Sequence, residues 1–117
     1  MKKSRFEVRV LEEAQEDILA AQKAIFLYFE KIEDPSKGII WADDFVNKLE
    51  QSYEILANSP LTYPICSLYP LEQSQHSFHY FKVMWYLVFY IVESKVVKII
   101  RVISDKADLS TLLNYKK

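Results

Sequence analysis

The period of the hydrophobic pattern changes near the N-terminus and again past the middle of the chain, and those changes decide the fold class. From Arg5 to Val10 the pattern alternates, with Phe6, Val8 and Val10 on one face and Arg5, Glu7 and Arg9 on the other. A period of two is that of a half-buried strand. At Leu11 the period lengthens. Leu11, Ala14, Ile18, Ala21, Ile25, Tyr28, Phe29 and Ile32 recur every three or four residues, with Glu12, Glu13, Glu16 and Asp17 crowding the first turns. That spacing predicts an amphipathic helix of about six turns ending near Ile32, its early acids favoured by the helix dipole.

Glu33 to Gly38 is loop-like in composition, and a second helical pattern follows in Ile39, Ala42, Phe45, Val46, Leu49, Tyr53 and Leu56, closed by Asn58-Ser59-Pro60. The two helices read as a hairpin. Pro60, Pro64 and Pro70 mark an extended connector with a short strand expected around Ile65 to Leu68, and Gln73 to Ser77 reads as a turn or loop. Strands follow: Phe78 to Val83, a central strand from Tyr86 to Val92 that is apolar on both faces, a turn at Glu93-Ser94-Lys95, and Val96 to Ile103. Asp108 to Leu113 reads as a short helix or arm before a Tyr115-Lys116-Lys117 tail. The expected class is α+β: an N-terminal strand, an α-helical hairpin, then a mostly antiparallel meander of three to four strands, all in one domain over residues 1–117. The first strand should pair at an edge of the meander.

Composition removes several functions. The 117 residues hold one glycine, Gly38, where average usage would give about eight. Neither GxGxxG nor a Walker A loop can be built from it. Cys66 has no second cysteine for a disulfide, and its expected state is a buried, inert thiol. His76 and His79 are three apart, but strand geometry points such a pair to opposite faces, so neither a metal nor a cofactor is expected. The longest apolar run, Val83 to Val92, is ten residues, half a membrane span. A cytoplasmic protein is expected.

What remains is aromatic and weakly cationic. Phe78, Tyr80, Phe81, Trp85, Tyr86, Phe89 and Tyr90 fall close together, mostly as core. Residues 1–58 carry a net −4 and residues 59–117 a net +3. The basic and imidazole groups of the second half include His79, Lys82, Lys98, Arg101 and Lys106. By strand parity His79 faces away from Lys82, and Lys98 away from Arg101.

The order of these segments resembles the RelE/ParE superfamily of bacterial toxins, the plasmid stabilisation protein family. Phe6-Glu7-Val8-Arg9-Val10-Leu11 with Ala14 and Asp17-Ile18 is similar to its first strand and helix start. Ala42, Phe45, Leu49 and Leu56, then Ser59-Pro60 and Tyr63-Pro64, are similar to its second helix and exit. Trp85 to Tyr90 resembles its central strand, and Val96 to Val102 with Asp108 and Leu112-Leu113 its last strand and tail. The resemblance implies the toxin of a type II toxin–antitoxin module, masked by a cognate antitoxin and inhibiting growth. Its action would fall on DNA gyrase or another protein, or on translation. The alternatives it leaves open are a ribosome-dependent endoribonuclease acting on ribosome-bound mRNA, and a non-toxic binding module. A homodimer is a further assembly to test.

Carried over residue by residue, the resemblance places His79 where many relatives have arginine, Leu87 where ribonucleases of the family place an arginine, and Ser104-Asp105-Lys106-Ala107 in the basic loop. A ribonuclease would then rest on His79 as acid or base, with Lys82 and Lys106 as phosphate partners. Arg101 and Tyr86 are expected as nucleic-acid or target contacts.

Overall fold

The computed structural model describes residues 5–64 and 78–106. The elements are β1 (Glu7–Val10), α1 (Glu12–Lys31), α2 (Pro35–Asn58), β2 (His79–Val83), β3 (Tyr86–Glu93) and β4 (Val96–Ser104). The four strands form one mixed sheet in the order β1-β4-β3-β2, so the expected α+β architecture holds and β1 is an edge strand. β2, β3 and β4 are antiparallel neighbours, while β1 runs parallel to β4 with Val8 opposite Val97 and Val10 opposite Ile99. The parallel pairing follows from the hairpin between them, which returns the chain to the end of the sheet where it began. The expected strand at 65–68, the thiol of Cys66, His76 and the C-terminal arm lie outside the described residues.

One boundary differs from expectation. Pro35 to Gly38 are helical, and the connection shrinks to Ile32, Glu33 and Asp34. Asp34 is the N-cap, its carboxylate accepting from the Lys37 amide at 3.4 Å, and Pro35 occupies the first helical position where its missing N–H costs nothing. Gly38 therefore sits inside α2. A Cβ there would lie 3.1 Å from both the Phe26 carbonyl oxygen and the Phe29 Cβ, so the lone glycine lets the two helices approach closely.

The tight turns are made without glycine. Met84 in the β2–β3 turn and Ser94 in the β3–β4 turn have φ of 57° and 56°. Each is the first of two loop residues, where positive φ is the signature of a II′ hairpin turn and glycine is the usual occupant.

Both helices cover one face of the sheet. Ala14, Ala21, Ile25 and Phe29 of α1 and Phe45, Leu49 and Leu56 of α2 pack with Phe81, Val83, Tyr86, Val88, Tyr90, Val97, Ile99 and Val102. The other face holds Phe78, Phe89, Ile91, Ile100 and Ile103, a buried cluster to which neither helix contributes. Tyr28, Ile32 and Ile39 carry the helical period but are more than half exposed. Tyr28 meets Trp85 of the β2–β3 turn at the end of the sheet, and Ile32 and Ile39 lie at the tip of the hairpin beyond it.

A β-bulge in β4 alters the expected facing of its cations. Tyr90 pairs with Ile99 but Phe89 pairs with Arg101, so Ile100 is an inserted residue. Lys98 then lies opposite Ile91 and Arg101 opposite Phe89, two residues of one face. The parity argument placed Lys98 and Arg101 on opposite faces, and the extra residue reverses that.

Candidate functional site

The structure divides the expected site residues into three places. At one end of the sheet, Val83 and Tyr86 bracket the β2–β3 turn, and Tyr86 pairs with Ser104 at the end of β4. The Asp105 amide donates to the Trp85 carbonyl at 2.9 Å, which holds the segment after β4 against the turn. Here Lys82 and Lys106 share a neighbourhood. The Lys82 ammonium is ion-paired to Asp105 at 2.9 Å. The Lys106 amide donates to the Ser104 hydroxyl at 3.3 Å, and its side chain has no ion-pair partner among the described residues. The second oxygen of Asp105, Oδ1, is buried without a hydrogen bond.

His79 is elsewhere. It pairs with Tyr90 at the far end of β2, three residues or roughly 10 Å from Lys82 along the strand and on the other face. The side chain is buried, stacked on the Tyr90 ring at 5.2 Å. Its Nδ1 lies 2.9 Å from the Tyr63 carbonyl oxygen. A carbonyl only accepts, so Nδ1 carries the hydrogen and that nitrogen is committed to holding the exit of α2. His79 is thus brought together with neither lysine.

Arg101 forms the third place. Beyond Val10 and Leu11 the outer edge of β4 loses its strand neighbour, and Asp17 of α1 takes over. Its carboxylate accepts from Arg101 Nε at 2.7 Å, Arg101 Nη2 at 3.1 Å and the Val102 amide at 2.9 Å. Glu13 adds a longer contact at 3.8 Å. The hydrogen bonds it donates to Asp17 raise the Arg101 guanidinium above its ordinary value, against the cost of burial. Lys98 is likewise held by Glu93 at 2.6 Å.

Tyr86 points under the helices, its ring 5.2 Å from Phe45. Burial pushes its phenol above the usual range, opposed by a hydrogen bond with the Trp85 side chain. Burial also raises Tyr90 to about 12, and its hydroxyl donates to the Pro60 carbonyl at 2.9 Å.

Three residues that matter escaped the sequence reading: Asp17, Asp105 and Tyr63. Asp105 could have been suspected from standing beside Lys106. Asp17 looks like any other acid in the opening turns of α1, and nothing marks Tyr63 as the partner of His79. No group of metal-ligating side chains occurs among the described residues. No described helix is long and apolar enough to cross a membrane.

Exposed apolar side chains gather towards the hairpin tip, where Leu27, Tyr28, Ile32, Ile39, Ile40 and Trp41 all reach solvent. The hairpin is acidic, with eleven Asp or Glu against four Lys between Glu12 and Glu54.

No family model matches the chain, and no curated protein matches it in sequence. Among solved structures, a chain of the "Chromosomal ParDE TA system from P. aeruginosa" matches with a TM-score of 0.58 and 14% identity, over 87% of this chain and 98% of that one. At that identity the likeness is one of fold.

Proposed function

We propose that this chain is the toxin-like component of a type II toxin–antitoxin module and that it acts by binding a protein target, of the gyrase kind, rather than by cutting RNA. The strand–hairpin–sheet order and the fold shared with a chain of a ParDE toxin–antitoxin system support the module. The pairing of the cations supports the mode of action. RNA cleavage by stabilising extra phosphate charge needs converging, uncommitted cations. Here Lys82 is neutralised by Asp105, Arg101 by Asp17, and His79 is buried with Nδ1 engaged. Among the described residues at this end of the sheet, Lys106 alone does not make such a cleft. The exposed apolar hairpin tip supplies the kind of surface that a protein partner covers.

The test is inducible expression of the intact chain in a bacterial host, alone and with the product of the neighbouring open reading frame. The proposal expects growth arrest, relief by the neighbour, unbroken transcripts by primer extension, and inhibition of gyrase supercoiling by the purified chain. Arrest with cut transcripts moves the reading to a ribonuclease, with Lys82 and Lys106 as the groups to replace first, since His79 lies apart from both. Absence of arrest moves it to a non-toxic binding module.

A further inference from the structure

A groove unconnected with the residues above lies where β1 passes into α1. It has a volume of about 320 Å³ and is lined by Val10, Gln15, Ile18, Leu19, Val46, Leu49, Glu50 and Tyr53. Pockets of this order hold one small molecule. Its walls are apolar, and three polar groups belong to it. The Gln15 amide is committed to the Val10 carbonyl at 3.2 Å. The Glu50 carboxylate has no hydrogen bond or ion pair among the described residues. Tyr53, three residues on and so on the same side of α2, has a buried hydroxyl with no hydrogen-bond partner. Buried hydroxyls without partners are rare. Burial, and after it the Glu50 charge, pushes the Tyr53 phenol up to about 12.

We propose that this groove is a binding site for a small alkylammonium ion: the aliphatic stem lies against Ile18, Leu19 and Val46, and the ammonium pairs with the exposed Glu50 carboxylate. The charge decides the class of ligand. An anion would meet Glu50 in the middle of a hairpin with a strong excess of carboxylates, whereas a cation is attracted by both. An alcohol of the same length would bury the same apolar area but leave Glu50 without a counter-charge.

The experiment is a titration of the full chain, followed by methyl NMR, with hexylammonium, hexanol and Nα-acetyl-lysine methylamide. Saturable shifts confined to Ile18, Leu19, Val46 and Leu49 are expected with hexylammonium, at a Kd of about 1 mM or tighter, with hexanol about tenfold weaker. Glu50→Gln, an exposed change that leaves the packing alone, should weaken hexylammonium to the level of hexanol. Tyr53→Phe removes a hydroxyl that the ligand does not reach and should leave the affinity unchanged. Equal affinity for hexanol, indifference to Glu50→Gln, or shifts elsewhere overturn the site. Tighter binding of the lysine amide than of hexylammonium overturns the assignment to a free amine.

Discussion

Replacing Asp17 by alanine tests the packing of the hairpin on the sheet more sharply than any core truncation. The carboxylate holds the Arg101 guanidinium through two hydrogen bonds and satisfies the Val102 amide where β4 has outrun β1. Removing it strips a mostly covered cation of two hydrogen bonds and takes the carboxylate from the Val102 edge amide. Breaking one side of a buried pair costs about 3–5 kcal/mol. Both side chains keep about a fifth of their exposure, 17% for Asp17 and 20% for Arg101, and Glu13 remains 3.8 Å from the guanidinium. Water and Glu13 therefore recover part of the loss, and the expected cost is about 3 kcal/mol, or roughly 12 °C in Tm for a domain of this size. Asp17→Asn should cost about half as much, because its amide oxygen still accepts from Val102. Urea unfolding of the intact chain, followed by the fluorescence of Trp41 and Trp85, gives the midpoint, and an unchanged slope certifies that stability alone moved. The Glu7–Arg9 pair is the internal control: both side chains are more than half exposed, so Glu7→Ala should cost less than about 0.5 kcal/mol. If Asp17→Ala costs no more than Glu7→Ala, the account of the β4 edge is wrong.

Other consequences are separable from that one. Tyr53→Phe removes an unpaired buried hydroxyl without changing the packing and should raise stability by about 1 kcal/mol in the same urea assay. Ser94→Gly relieves positive φ at an exposed non-glycine residue and should stabilise by about 1 kcal/mol, whereas Met84→Gly should gain less because it gives up a side chain packed against the core, and Met84→Val should destabilise. Tyr53 and Tyr90 should ionise near 12 in the folded chain, against about 10 when unfolded. The folded state then holds protons that the unfolded state has released, so stability is intact below pH 10 and falls as pH rises towards 12, coincident with phenolate absorbance.

The sequence made the element order legible because each element obeys its own period. Val8 and Val10 alternate, Ala14, Ala21 and Ile25 follow a helix, and β3 is apolar on both faces because both faces are buried. The edge position of β1 was also legible, since a four-residue strand with one charged face suits an edge. Periodicity does not say where the sheet beneath a helix ends, so Tyr28, Ile32 and Ile39 looked like core and emerge at the tip. The Asp34-Pro35 start of α2 was written in the chain but read as a loop, because its residues favour both. The bulge at Ile100 left no mark in a run of β-branched residues, and it changed the facing of Lys98 and Arg101. For the candidate site, parity separated His79 from Lys82 correctly but could not say that His79 faces inward. Pairing across 84 residues, as between Asp17 and Arg101, has no local signature at all.

The claim that this fold acts through protein contact rather than RNA cleavage turns on the two lysines at the β2–β3 turn, and both are exposed enough to remove without unfolding the chain. The decisive measurement is growth of a bacterial host expressing the chain beside its Lys82→Ala, Lys106→Ala double variant, with primer extension on the same cultures. The account predicts equal arrest from both and uncut transcripts in each. Cut transcripts with the parent chain, together with loss of arrest in a double variant that still folds, would contradict it.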